Sequence, residues 1–297
     1  MELFSFLQEN KIKFVKNGSL AKLSSIRIGG KCKYIIYPKN ENELCNTLEI
    51  CRNSNIPYAI VGGGTNTWFC DGHLGSAVIT TALMRNFYTD GSGTVIAQCG
   101  IRLPHLIRAL AELDMDISAE LYGIPGTVGG AIYNNAGAHG VVFGDRLVSA
   151  RVLDLQSGCI SFWDRETFRF GYRTSILHDK RFILLECEIC ATSTVRNKIY
   201  HKLEAAIEYR RRMQPSEPSL GSFFKRDGQI IPAKLIDAAG LKGTRCGNAE
   251  VSQRHAGFLI NAGGATANEL EKLALLIEER IESLYGVRLK REAEFIG

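Results

Sequence analysis

Two glycine-rich stretches hold the residues whose types and spacing suggest chemistry. Val61-Gly62-Gly63-Gly64-Thr65-Asn66 follows an apolar run. Three successive glycines strip the turn of side chains, so its backbone can approach a phosphate and aim N–H groups at it, while Thr65 and Asn66 add polar contacts. The second stretch is longer: Gly123-Ile124-Pro125-Gly126-Thr127-Val128-Gly129-Gly130-Ala131-Ile132-Tyr133-Asn134-Asn135-Ala136-Gly137-Ala138-His139-Gly140. Two such turns exceed what one phosphate needs, and a pyrophosphate-bearing dinucleotide would use both. Neither matches the P-loop or the Rossmann fingerprint, so those nucleotide sites are not indicated. Tight turns in a β-rich domain are the plain structural alternative.

The elements that must position these loops are mixed. Lys33–Tyr37 reads as a strand, Glu41–Arg52 as a helix with Leu44, Leu48 and Cys51 at helical spacing, and Tyr58–Val61 as a strand running into the first glycine turn. A further strand, Ala77–Thr80, follows the Asp71-Gly72 turn. Strands at Thr94–Gln98, Leu147–Leu155, Cys159–Trp163 and Phe182–Cys190, with one helix at Leu103–Leu113, make a sheet-dominated second segment. A charged helix over Lys198–Arg212 breaks at the Pro215/Pro218 turn. Beyond it the pattern predicts a helix over Pro232–Ala239 ending at Gly240, a strand over Gly257–Asn261 and a long helix over Ala267–Tyr285. The apolar stripe of that last helix is Leu270, Leu273, Leu276, Ile277, Ile281 and Leu284, closed by Gly286. The order indicates an α+β chain in two or three subdomains.

Composition excludes less. A chain of 297 residues, 45% hydrophobic and 23% charged, has the ordinary globular balance and needs no disulfide or structural metal to fold. The net charge of +5 slightly favours an anionic ligand. No apolar run is long enough to span a bilayer, and residues 1–16 lack a secretory signal pattern, which predicts a cytoplasmic protein without a membrane partner. Nine scattered cysteines argue for reduced thiols. In the lone pair Cys187 and Cys190, a strand would point the two thiols to opposite faces, so no metal is expected. Arg210-Arg211-Arg212 reads as a solvated helix face, with contact to an anionic nucleotide near the Pro-rich hinge as the alternative; no aromatic interleaving or nucleic-acid motif accompanies it.

The two loops resemble the cofactor-binding loops of the UDP-N-acetylenolpyruvoylglucosamine reductases, flavoenzymes of bacterial cell-wall precursor synthesis. The resemblance runs from Ser24-Ser25-Ile26-Arg27-Ile28-Gly29-Gly30 to Gly297, through Phe170-Gly171-Tyr172-Arg173-Thr174-Ser175, Pro218-Ser219-Leu220-Gly221-Ser222-Phe223-Phe224-Lys225, Val251-Ser252 to His255, and Leu289–Gly297. It implies a FAD-binding domain of the vanillyl-alcohol oxidase (PCMH) type in two subdomains, residues 1–80 and 81–197. A C-terminal α/β substrate-binding domain over 198–286 follows, with 287–297 returning to the active site. It also implies FAD as cofactor and NADPH as reductant, a small-molecule substrate, no nucleic acid and a monomer. Cofactor contacts would come from Gly62, Gly63, Gly64, Thr65, Asn66, Ile124, Pro125, Gly126, Gly129, Gly130, Asn135, Gly137 and Ala138.

Reduction of an enol ether next to a carboxylate adds a hydride to the terminal carbon and leaves negative charge on its neighbour. That charge needs a cationic or hydrogen-bonding stabiliser and then a proton. By resemblance Arg173 steadies the developing enolate, Glu292 is the acidic partner and Ser222 gives the proton, with Lys225, Arg226 and His255 on the substrate. Without the resemblance, Arg173 reads as a surface residue paired with Asp164 or Glu166, Ser222 as a turn serine, and Glu292 as part of a solvated terminal strand. Thr65 stands where serine is common in the family, Ala293 and Glu294 where Val and Arg are usual, and Arg226-Asp227-Gly228 where a proline commonly appears. There is no room between Arg173 and Gln214 for an extra tyrosine loop, so the shorter subclass is indicated. Another FAD oxidoreductase on the same fold and a non-catalytic anion-binding module are the competing readings.

Overall fold

The computed structural model describes residues 2–297 and divides them into two compact units. The first comprises 2–14, Ile36–Gly63 and Ile79–Arg210; the second comprises Val15–Ile35, Gly64–Val78 and Arg211–Gly297. The boundaries fall inside the strands Lys13–Ser19, Lys31–Tyr37 and His73–Thr80, and between Gly63 and Gly64.

The first unit is built on a five-stranded antiparallel sheet in the order Ile160–Asp164, Leu147–Asp154, Phe182–Cys190, Thr94–Gln98, Phe87–Thr89. Period-two patterning puts Val95, Ala97, Ala150, Val152, Cys187 and Ile189 into the core. Cys187 is buried and Cys190 exposed, as strand alternation requires. Around the sheet lie helices α1 (Leu3–Glu9), α2 (Glu41–Asn53), α3 (Leu103–Ala111), α4 (Val128–Tyr133) and α5 (Arg196–Met213), the last of which runs three residues into the second unit. Asn40 caps α2 by accepting from the Glu43 N–H at 2.9 Å. Helix α3 buries Leu103, Leu106, Ile107 and Leu110 on one face. Within this unit Lys202 of α5 is held by Asp116 at 3.0 Å and Glu120 at 2.9 Å.

The second unit contains a four-stranded antiparallel sheet in the order Ser219–Ser222, Phe258–Asn261, Ala249–Val251, Arg245–Cys246. Helices α6 (Pro232–Ala238) and α7 (Ala267–Tyr285) pack with it around Trp68, Phe223, Ile236, Leu270, Leu273 and Ile277. Helix α7 starts in a capping box of Thr266 and Glu269 and stops at Gly286, whose φ of +65° a glycine adopts freely. Asp71 adds a second cap, accepting from the N–H groups of Ala267 at 2.6 Å and Asn268 at 3.0 Å. The stripe expected on α7 needs correction. Leu270, Leu273, Ala274, Ile277 and Ile281 are buried, but Leu276, off the edge of that face, and Leu284, on the face but in the last turn of the helix, are exposed.

Two short strand pairs close this unit. Lys290–Arg291 runs antiparallel to Phe224–Lys225, and Glu294–Ile296 runs parallel to Thr67–Phe69. The final residues thus return to the chain that follows the first glycine turn. No helix among the described residues is long and apolar enough to cross a membrane.

Candidate active site

In the first unit the two glycine loops meet. A Cβ built on Gly62 would stand 2.7 Å from Thr127 Oγ1, and one on Gly63 only 2.9 Å from Gly126 Cα. The loops therefore touch backbone to backbone, which only glycine permits. Thr127 Oγ1 accepts from Gly130 N at 3.2 Å and caps α4. The N–H groups of Val128 and Gly129 go to the carbonyls of Ile101 at 2.9 Å and Cys99 at 2.8 Å. Gly129 and Gly130 thus spend their N–H groups inside the protein and contribute close packing; a Cβ on Gly129 would approach Cys99 Cβ to 3.0 Å. Burial behind this turn pushes the Cys99 thiol up to about 12, leaving it an inert packing group.

The turn carrying Arg173 is tied to the second glycine loop. Arg173 has a left-handed φ of +53°, strained for an arginine, and four hydrogen bonds over-determine the turn. Its guanidinium donates to the carbonyls of Gly137 at 2.6 Å and Asn135 at 3.3 Å; Asn135 Nδ2 donates to Gly171 O at 3.0 Å and Ser175 Oγ to Tyr133 O at 2.8 Å. The guanidinium also lies over the Tyr172 ring, 5.0 Å from its centroid. Asp164, one suggested partner for Arg173, instead accepts from the N–H and hydroxyl of Thr167. Asn135 uses its amide to brace the loop, since Oδ1 also accepts from Gly144 N at 3.1 Å.

One cation departs from the solvated-face reading. Arg210 does not lie on a solvated face: it is half-buried against the second loop, with a Cβ on Gly123 reaching to 2.9 Å of its Cδ. Burial pulls its pKa below the usual arginine value, but a guanidinium stays charged. A cation therefore stands against the loop, where an anionic cofactor would meet it.

The second unit gathers Asn66, Ser222 and Glu292. Ser222 follows Gly221, whose φ is +77°, and the strand pairing with Phe258–Asn261 shifts between Ser219 and Ser222. Such a bulge re-aims the side chain, and Ser222 is exposed. The N–H of Glu292 donates to Phe223 O at 2.8 Å, while Asn66 Nδ2 donates to Glu292 O at 2.9 Å and Glu294 N to Asn66 O at 2.9 Å. Gly64 fixes the start of this arrangement, because its φ is +62° and any Cβ would collide with the Leu23 carbonyl. Lys225 lies across from Lys290 in the short strand pair; Arg226 is exposed; and Lys290 is paired with Asp227 at 2.7 Å. His255 Nδ1 accepts from Gly257 N at 3.1 Å, and burial holds its pKa below the ordinary histidine value, so it is neutral at pH 7. Ile124, Pro125 and Ala138 complete the second loop, with Pro125 exposed. Among the described residues no group of three His, Cys, Asp or Glu side chains is placed to hold a metal.

Comparison with known proteins places these features. Residues 32–161 match the model of a FAD binding domain, and 214–296 match that of the UDP-N-acetylenolpyruvoylglucosamine reductase C-terminal domain. The UDP-N-acetylenolpyruvoylglucosamine reductase of Caldicellulosiruptor bescii is 38% identical over 100% of this chain and 95% of its own; that of Clostridium perfringens strain SM101 is 34% identical over 100% and 98%. The chain belongs to the UDP-N-acetylenolpyruvoylglucosamine reductase family. It is thus a FAD-dependent oxidoreductase of α+β fold. The crystal structure of the family's reductase from Thermus caldophilus superposes with a TM-score of 0.80, at 26% identity, over 96% of this chain and 99% of that one. Phl p 4, a grass pollen allergen with glucose dehydrogenase activity, shares the fold of 66% of the chain at a TM-score of 0.51 and 14% identity.

The residues present fit FAD. Two side-chain-free loops in van der Waals contact, the half-buried Arg210 cation and a buried Asn134 Oδ1 that has no hydrogen-bond partner among the described residues together suit a flat, diphosphate-bearing group. In the first unit, Gly62, Gly63, Gly126 and Arg210 are the residues that would hold it.

Proposed function

We propose that this chain reduces UDP-N-acetylglucosamine enolpyruvate to UDP-N-acetylmuramate with NADPH as electron source, acting in the cytoplasm as a monomer in peptidoglycan precursor synthesis. When bound, the flavin supplies the hydride, and NADPH restores it. The chain's own residues do the rest. Arg173, locked on two backbone carbonyls, presents a fixed planar charge suited to the substrate carboxylate and to the negative charge that develops beside it. Ser222 Oγ–H gives its proton to the carbanionic carbon. A serine hydroxyl is a very weak acid, yet a carbanion is a far stronger base than the alkoxide left behind, so the transfer runs downhill. Glu292 assists as the acidic partner, and Lys225, Arg226 and neutral His255 serve the anionic nucleotide sugar. The boundaries 1–80, 81–197 and 198–286 are proposed as its functional subdomains.

The observation that supports this reading best is the bond from Glu292 N–H to Phe223 O, which sets the acidic residue next to the segment that the Gly221 bulge turns outward at Ser222. An FAD oxidase of alcohols has no need of that pairing. The test is anaerobic stopped flow of Ser222→Ala. Flavin reduction by NADPH should proceed at the wild-type rate, while reoxidation by the enolpyruvyl substrate should slow by roughly 10²-fold or more, the usual worth of a positioned proton donor. Reoxidation near the wild-type rate would remove Ser222 from the mechanism.

A further inference from the structure

Arg291 immediately precedes Glu292, and its side chain is bound by two carboxylates of α7. Nε donates to Glu278 Oε1 at 2.6 Å and Nη2 to Glu278 Oε2 at 3.1 Å, a two-pronged pair, while Nη1 donates to Glu271 Oε2 at 2.7 Å. The two glutamates lie about two turns apart and so on one face of the helix. All three side chains are partly withdrawn from water, at 27% exposure for Arg291, 24% for Glu278 and 38% for Glu271. The hydrogen bonds from Glu278 above all, with Glu271, raise the Arg291 pKa further above the usual arginine value, so the clamp persists over any working pH.

Helix α7 is itself anchored at its start by Thr266, Glu269 and Asp71. Downstream of Arg291, Ala293 is buried in the same core as Leu270, Leu273 and Ile277. The N–H groups of Glu292 and Ala293 both turn to Phe223 O, at 2.8 and 3.4 Å, so the chain bulges at Glu292, between Arg291 held by α7 and the buried Ala293. Its backbone bonds to Phe223 O and Asn66 fix where the residue sits, and the clamped Arg291 is the residue directly before it.

We infer that Arg291 is a positioning residue: gripped by Glu271 and Glu278, it orients Glu292 for the substrate-reducing step. This rests on the reading of Glu292 as the acidic partner. An ion pair serving stability alone would, when cut, lower the melting temperature and leave the two half-reactions equally affected.

The experiment is a set of holoenzyme variants followed by anaerobic stopped flow. In Arg291→Met, reoxidation by the enolpyruvyl substrate should slow tenfold or more, while flavin reduction by NADPH stays within twofold. Arg291→Lys, which keeps the charge without the fork, should recover part of the loss. In a Glu292→Gln background, Arg291→Met should add less than a twofold effect. Equal slowing of both half-reactions, or the full tenfold loss repeated in the Glu292→Gln background, would overturn the inference. A Glu292→Gln enzyme with wild-type reoxidation would instead refute the reading of Glu292, and this inference with it. Glu278→Gln, milder on folding, supplies a readout independent of turnover. Amide exchange at Glu292 should rise tenfold or more with the interior of α7 unchanged, and unaltered exchange there would count against the clamp.

Discussion

The contact between the two glycine loops makes Gly63→Ala the sharpest test of the cofactor site. The new Cβ would lie 2.9 Å from Gly126 Cα, 3.3 Å from Gly126 C and 3.4 Å from Thr127 N, all backbone atoms with no rotamer to yield. Carbon atoms pack at about 3.5 Å or more, so the loops must part by roughly 0.6 Å. Overpacking of this kind costs about 1–3 kcal/mol. If the bound state demands the native loop spacing, that cost weakens FAD affinity by about 5- to 150-fold, since each 1.4 kcal/mol is tenfold. Gly75→Ala is the control: Gly75 lies in the strand His73–Thr80 at negative φ with nothing within 4 Å of its Cβ, and the change should leave FAD affinity and melting within error. Titration of deflavinated protein with FAD, followed by flavin fluorescence, gives Kd, and calorimetry of the apoprotein gives the folding cost. A Gly63→Ala protein that binds FAD within twofold of wild type would refute the claim that this backbone contact shapes the cradle.

Two further outcomes follow from single residues. Asp71→Ala removes the acceptor for two N–H groups at the start of α7 and should cost about 1–2 kcal/mol, or about 2–4 °C of melting temperature per kcal/mol; an unchanged melting curve would show that the Thr266–Glu269 box suffices alone. His255 has its folded pKa depressed by burial, so the unfolded chain binds its proton more readily. Stability should therefore fall as pH drops below about 6.5 and level off below the depressed value; above pH 7 the group is neutral in both states and contributes nothing. His255→Gln should flatten that acid limb relative to wild type in urea denaturation, and an identical limb would assign the effect elsewhere.

How much of this could be read from the sequence depends on how local the physics is. Tyr58–Val61, Thr94–Gln98, Phe182–Cys190 and Ala267–Tyr285 have the bounds expected, because periodicity, glycine stops and N-caps act within a few residues. Thr67–Phe69 went unread, and Glu294–Ile296 was legible only as a solvated terminal strand without its partner, since each is three residues long and is paired with the other from the far end of the chain. Leu276 and Leu284 fit a loose helical stripe, but Leu276 lies outside the arc of buried positions and Leu284 sits in the last turn, next to the Gly286 stop. Arg210 read first as one of three solvated arginines, with contact to an anionic nucleotide as the alternative. Gly123 places it against the loop, and nothing adjacent in sequence signals that. The glycine loops were legible as turns stripped of side chains, and their backbones do approach closely. That Gly129 and Gly130 give their N–H groups to Cys99 and Thr127 required the fold. The roles proposed for Arg173, Ser222 and Glu292 rest on family resemblance, because backbone anchors such as Gly137 O for Arg173 and Phe223 O for Glu292 leave no mark on neighbouring residue types.

Those main-chain anchors also explain why the departures near the C-terminus are tolerated structurally. Where the family usually has Val and Arg, this chain has Ala293 and Glu294. Ala293 is buried, and Glu294 keeps its N–H on Asn66 O and its register opposite Thr67. Both contacts are made by backbone atoms and would be the same for any side chain. The reversal of charge at position 294 therefore alters the field beside Glu292 without moving Glu292. The adjacent cation that this chain does supply, Arg291, is bound by two carboxylates on α7, so it presents no positive charge to its neighbour. In this chain the segment bearing Glu292 gets its geometry from Phe223, Asn66 and the Arg291 clamp, and its electrostatics from whatever faces it across the substrate.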